Sequence, residues 1–151
     1  MAREQKATGL NTSPLHLLHR AGQRASEVFQ AESTVGDLTP RQYAVLVAVS
    51  QAEGLSQTDL VKETGIDRST LADIVRRMIK KGLLQRRRTR EDARAYAVKL
   101  TDQGRSVLTQ AAPIVRRVDD RILAALPATK RDRFLEDLDA ISSMLEKKLK
   151  S

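Results

Sequence analysis

Residues 55–81, LSQTDLVKETGIDRSTLADIVRRMIKK, decide the fold. Ser56 followed three residues later by Asp59 is a capping box, and it opens a helix with Leu60 and Val61 on its apolar side. Gly65 stops that helix, because a residue without a Cβ closes a helix in the left-handed conformation at no steric cost. Asp67, two residues on, is a strong N-cap for a second helix. There Leu71, Ile74, Val75, Met78 and Ile79 fall at i, i+3, i+4, i+7 and i+8, one stripe facing a core. Ser69, Asp73, Arg76 and Lys80 then point away from that core, with Thr70 and Arg77 on one flank. So tight a junction is a helix-turn-helix, or else a plain helical hairpin whose charges keep it soluble.

The residues that follow separate these two. Gly82 closes the second helix, and 83–89, LLQRRRT, with 95–100, AYAVKL, predict two strands joined through residues 90–94. Tyr96, Val98 and Leu100 alternate with Ala95, Ala97 and Lys99, the period of a half-buried strand. A helix-turn-helix followed by a basic hairpin is a winged helix. Residues 67–94 hold ten Arg or Lys against four Asp or Glu, so six of the formal +8 charges of the chain sit in 28 of its 151 residues. A surface so lopsided points to an anionic partner, nucleic acid in preference to a membrane surface because the charge lies on the turn helix and wing.

Outside this lobe the chain is read as helical, which makes the fold class mainly α with a small β-hairpin wing. Residues 1–12 are read as a disordered arm. Ser13-Pro14 then offers an N-cap and a first-turn proline for a helix running to about Glu32, with Leu15, Leu18, Ala21, Ala25, Val28 and Phe29 at helical spacing. Thr39-Pro40-Arg41-Gln42 is a second capping box, opening a helix to about Gln51. Thr101 caps a long helix with an apolar stripe through Val107, Ala111, Ile114 and Val118; Pro113 inside it predicts a bend or local break near residue 112. Pro127 starts the last helix, where Phe134, Leu138, Ile141, Leu145 and Leu149 make a heptad-like stripe that needs a partner, from this chain or from a second copy. The seven glycines are read as turn residues.

Composition removes several function classes. The chain has no cysteine, hence no disulfide and no thiolate nucleophile, which fits a reducing cytoplasm. No apolar run approaches the roughly 20 residues of a membrane span, and the polar start MAREQKATGLNTS is not a signal peptide. There is no glycine-rich phosphate loop, no Gly-x-Ser-x-Gly and no His-Glu-x-x-His, so the protein is not read as an enzyme and no cofactor is expected. His16 and His19 stand at i, i+3 without a third ligand, which speaks against a metal site and for a capping or ligand-orienting role.

The helix-turn-helix, the segment Asp92-Ala93-Arg94, and Val98-Lys99-Leu100-Thr101-Asp102-Gln103-Gly104 in register behind it resemble the MarR family of winged helix-turn-helix regulators. The resemblance covers residues 13 to about 149. It implies a homodimeric transcription factor, more commonly a repressor, that binds a pseudo-palindromic operator on double-stranded DNA and is released by a small ligand. On that view residues 13–35 and 101–151 are dimerisation helices and 36–100 the winged, DNA-binding lobe. Ala93 departs from the family, where an arginine is common, and Arg90 is the substitute at hand. The stretch Ser13 to Ala21, SPLHLLHRA, is similar to members that sense hydroxycinnamates or their CoA thioesters, and reads equally as plain helix packing.

Roles can be set against this frame. Ser69, Thr70 and Arg76 are placed for base edges, and Arg68, Arg77 and Lys80 for phosphates, with Asp73 pairing Arg76 or Arg77. Ser56, Gln57 and Thr58, at the start of the first helix of the motif, are counted with the DNA contacts. Arg94 is assigned to the minor groove with Asp92 orienting it, and Arg86, Arg88 and Arg90 to phosphates. For the effector, the resemblance implies a cleft between dimer helices and DNA-binding lobe, near His16, His19, Arg20 and Tyr43. Two His and an Arg suit an anion, and with only 3% aromatic residues ring stacking is not the main handle, so an aromatic acid or its CoA thioester is expected. Two other classes fit the same features: a sequence-indifferent architectural DNA binder, and a winged-helix adaptor that docks an acidic protein.

Overall fold

The computed structural model describes residues 9–52, 54–88 and 96–150, with backbone only for 148–150. Six helices and one hairpin follow in order: α1 (Pro14–Glu32), α2 (Pro40–Gln51), α3 (Gln57–Thr64), α4 (Arg68–Lys80), β1 (Leu84–Arg88), β2 (Tyr96–Leu100), α5 (Asp102–Ala124) and α6 (Ala128–Lys150). The helix starts are set locally. Ser13 accepts from the backbone N–H of His16, Thr39 from Gln42, Ser56 from Asp59, Asp67 from Thr70 and Thr101 from Gly104, with reciprocal capping boxes at Thr39–Gln42 and Ser56–Asp59. Before them Leu10–Thr12 forms a 3-10 turn whose Thr12 hydroxyl donates to the Gly9 carbonyl at 2.9 Å. This turn falls in the stretch read from the sequence as an arm, most of which, residues 1–8, lies outside the described residues.

The core forms where α2, α3 and α4 meet the wing and the first half of α5, around the fully buried Leu46, Leu60, Leu71, Met78, Leu84 and Ile114. β1 and β2 pair antiparallel with Leu84 opposite Leu100, Arg86 opposite Val98 and Arg88 opposite Tyr96. On the other edge of β2 the Val98 N–H donates to the Leu55 carbonyl at 2.9 Å, an isolated bridge beside the two-stranded sheet. Burial along β2 departs from simple alternation at two positions. Ala97 is buried on the face opposite Val98, and Tyr96, where the hairpin runs past the core, is exposed instead of buried. Its ring lies under the Arg88 guanidinium, 5.9 Å from the centroid.

Pro113 does not break α5, which runs unbroken from Asp102 to Ala124. One backbone bond is lost, but Ala111, Ile114 and Val118 are all buried on one face on both sides of the proline, and that shared burial holds the two halves together. Nor do all glycines mark turns. Gly22 lies within α1, and Gly104 in the first turn of α5 sits against the end of the recognition lobe: a Cβ there would stand 2.1 Å from the Leu83 carbonyl oxygen. Thr101 secures the same junction, its N–H donating to the Leu83 carbonyl at 3.1 Å and its hydroxyl to that of Gly82 at 2.6 Å.

The outer helices are joined to this body differently. Glu32, at the end of α1, accepts from Arg121 of α5 at 3.1 Å, with the Arg117 Nε at 3.8 Å. Between α1, α5 and α6 runs an apolar groove of about 990 Å³, lined among others by Leu17, Leu18, Val118, Phe134, Leu138 and Ile141. Farther along α6, Met144 and Leu145 are more than half exposed. Among the described residues no helix is long and apolar enough to cross a membrane.

Because backbone meets backbone at Gly104, Gly104→Ala must push α5 away from the end of the recognition lobe. The expected loss is about 1–3 kcal/mol, the usual cost of overpacking. Urea denaturation checks it, and an unchanged midpoint would contradict the fit described here.

Candidate nucleic-acid interface

The surface follows from how α3 and α4 are joined. Gly65 adopts φ +69° and closes α3, its N–H donating to the Val61 carbonyl at 2.9 Å. The chain then turns at once into α4 through Asp67. The Thr70 side chain beside its carboxylate, the Thr70 backbone N–H donating to it at 3.1 Å and the Ser69 hydroxyl donating at 2.9 Å hold its pKa at about 2, below the ordinary 3.8. The Ser69 hydroxyl is thus committed as a donor, and what it offers outward is lone pairs.

Along the exposed face of α4, Asp73 pairs with two guanidinium groups: it accepts from Arg76 through Oδ1 and forms an ion pair with the Arg77 Nε through Oδ2 at 3.0 Å. The pairing read from the sequence is present, and it takes both arginines instead of one. Lys80 is exposed at the end of the same face. At its head the Arg68 Nη1 donates to the Thr58 hydroxyl at 3.4 Å, joining the two helices of the motif. Gln57 is half-buried beside them. Ser56 is already engaged in the capping box, its hydroxyl donating to Asp59 Oδ2 at 2.9 Å and accepting from the Asp59 N–H at 3.1 Å.

In the wing, Arg86, Arg87 and Arg88 are all exposed, because after Leu84 the strand leaves the core. Register divides them. Arg86 and Arg88 lie on the same face as Val98 and Tyr96, whereas Arg87 lies on the other face with Gln85 and Lys99. Sequence reasoning passed over Arg87 and Lys99. Leu84 supplied the signal, since a buried residue at that position sends residues 85 and 87 outward. Arg90, Asp92, Ala93 and Arg94 lie outside the described residues.

The residues considered for an effector are less gathered. His16, half-buried, and the exposed His19 and Arg20 occupy the first two turns of α1, and Tyr43 packs partly buried in the first turn of α2. Neither the groove under α1 nor a smaller cavity of about 170 Å³ beside Asp37 and Lys81 is lined by any of the four.

A capped turn between two short helices, a basic exposed face on the second and an arginine-rich hairpin behind it define a winged helix-turn-helix of the DNA-binding kind. The chain belongs to the MarR family, whose description matches residues 36–95, and it is a transcriptional regulator of that type. Transcriptional regulator HosA of Escherichia coli O127:H6 is 33% identical over 127 residues, 84% of this chain and 93% of HosA. The PcaV transcriptional regulator from Streptomyces coelicolor, in complex with its natural ligand, matches with a TM-score of 0.85 at 31% identity, over 91% of this chain and 96% of PcaV. The transcriptional repressor CouR bound to a 23-mer DNA duplex matches with a TM-score of 0.80 at 31% identity, over 90% of this chain and 96% of CouR. CouR bound to p-coumaroyl-CoA matches at 0.78 and 30%, over 88% and 94%.

The Asp67 cap titrates in a defined direction. Its folded pKa is depressed, so its contribution to stability is complete above the ordinary 3.8 and is lost as pH falls from there through about 2. Asp67→Ala is expected to lower the urea midpoint at neutral pH, with the gap to the unmodified protein closing between about pH 4 and pH 2. A gap independent of pH over that interval would contradict the assignment of the cap.

Proposed function

We propose that the protein is a cytoplasmic, homodimeric repressor that reads a pseudo-palindromic operator through α4 and the wing and leaves it on binding a small aromatic acid or its CoA thioester. The observation that carries this is the exposed face of α4. Six polar or charged side chains, Arg68, Ser69, Thr70, Arg76, Arg77 and Lys80, stand on one helix whose opposite face is the core. DNA-bound CouR, similar in fold over 90% of this chain, supports the duplex as partner. With its hydrogen on Asp67, the Ser69 hydroxyl suits an amino donor, cytosine N4 or adenine N6, while Thr70 suits a base edge and Arg76 suits guanine. Arg68, Arg77, Lys80, Arg86 and Arg88 suit phosphates, and Gln57 and Thr58 complete the head; Arg90, Asp92 and Arg94 keep the wing-tip roles assigned from sequence.

The apolar groove supports the dimer. A surface of this size carrying Leu17, Leu18, Leu138 and Ile141 is costly in water, and helices α1 and α6 of a second copy are the elements of matching character. Two copies would carry two recognition helices to successive major grooves, about 34 Å apart. For the effector, His16, His19 and Arg20 supply anion-binding groups in the first turns of α1 and Tyr43 a polar group on α2, and the ligands of PcaV and CouR support a small-molecule effector.

Binding-site selection from random duplexes tests the function. Arg76→Ala is expected to cost about 1–3 kcal/mol and to relax preference at one base pair per half-site, whereas Lys80→Ala weakens all sequences alike and lowers the salt slope. An unchanged base-preference profile for Arg76→Ala would contradict the orientation of α4, and no enriched motif for the unmodified protein would contradict operator reading. Linkage makes the effector separable. Hydroxycinnamates and their CoA esters are expected to bind free protein about 5- to 150-fold more tightly than operator-bound protein, by calorimetric titration of both. Equal affinity in the two states, or none, removes the effector class and leaves the DNA assignment standing.

A further inference from the structure

A carboxylate in the middle of a DNA-reading face is a liability, because it repels phosphates wherever the helix lands. Asp73 occupies that position. It lies opposite the stripe of Leu71, Ile74, Val75 and Met78, and the residues three and four positions on fall to either side of it around the helix. Its side chain is 39% exposed, whereas those of Arg76 and Arg77, held on its two oxygens, are 71% and 68% exposed. The carboxylate sits low and both guanidinium groups project past it.

We infer that Asp73 is the positioning residue that sets operator specificity, holding Arg76 and Arg77 splayed to fixed places on the duplex and penalising every register in which they are not both engaged. The inference rests on the DNA-reading assignment above. The hydrogen-bond arrangement shows how it works. Arg77 forms its ion pair with Asp73 through Nε, which leaves its terminal nitrogens directed outward as donors for a guanine edge or a phosphate. Arg76 gives one terminal nitrogen to Asp73 and keeps the rest of its donors for the duplex. Neither side chain can swing to the nearest phosphate without leaving the carboxylate, and an Asp73 left behind, facing phosphates without a partner, is unfavourable. Sequence-indifferent binding is therefore suppressed by the same contact that orders the specific one.

Without the carboxylate both arginines become free phosphate ligands. Asp73→Asn is thus expected to bind a random duplex more tightly and with a steeper salt dependence, while the ratio of operator to random affinity falls about tenfold, the scale of one base-reading contact. Asp73→Glu keeps a carboxylate within reach of positions 76 and 77 and is expected to retain most of the ratio.

The experiment uses the full chain, the duplex selected by the unmodified protein and a scrambled duplex of equal length, at several salt concentrations. Thermal unfolding of each variant runs alongside. A charge acting only by general repulsion would raise both affinities equally, so an unchanged ratio in Asp73→Asn overturns the inference. Loss of the ratio in Asp73→Glu equal to that in Asp73→Asn overturns it too. No discrimination by the unmodified protein would instead overturn the regulator assignment on which the inference stands.

Discussion

The structure depends on one close approach, the contact between Gly104 at the head of α5 and the backbone of Leu83 just past the recognition helix α4. Thr101 bonds both the Gly82 and the Leu83 carbonyls, Gly104 returns a bond to the Thr101 hydroxyl at 2.9 Å, and Leu83 N–H closes back on Met78 of α4 at 2.9 Å. The end of α4, the start of the wing and the start of α5 become one rigid knot. From this knot α5 runs unbroken through Pro113 to the apolar groove, so one continuous helix joins the end of α4 to the outer helices. The Val-x-Leu-Thr-x-x-Gly pattern over residues 98–104 acquires a physical reason, because Thr supplies the bonds and only Gly leaves room for the carbonyl.

Four acids around the helix-turn-helix are tied to structural partners. Asp59 and Asp67 cap the two helices of the motif, Asp73 holds two arginines, and Asp37, in the loop before α2, holds Lys81 at 2.8 Å behind the recognition helix. Their negative charge is thereby tied to particular partners and does not present a free repulsive surface to an anion. Coulombic contributions of such exposed pairs to folding are small. What they contribute is geometry: two helix starts, the placement of Arg76 and Arg77, and a tie from Lys81 to the loop before α2.

Much of this was legible because capping is local. Ser13, Thr39, Ser56, Asp67 and Thr101 could be recognised within four residues, and the Leu71-to-Met78 stripe marked which face of α4 was left to the partner. What sequence could not show depends on distant packing. Unbroken helix through Pro113 reflects burial on a surface contributed by other elements, Gly104 is required by a carbonyl twenty-one residues earlier, and the Leu55 bridge ties the wing to the loop before α3. The same reason explains the effector residues. His16, His19 and Arg20 share a helix by spacing alone, but meeting Tyr43 around a ligand takes tertiary and quaternary placement that no local pattern encodes.

The central claim is that two copies present α4 to two half-sites on one side of the duplex, and helical phase tests it most directly. Affinity would be measured for duplexes in which the half-sites of the selected operator are kept and their separation is increased by about five base pairs or by about ten, half a turn or a full turn of the double helix. The account predicts that the half-turn insertion reduces binding to the level of random DNA, by placing the second half-site on the opposite side of the duplex, with the full-turn insertion less damaging than the half-turn one. Affinity indifferent to spacing, with one protomer bound per half-site independently, would contradict it.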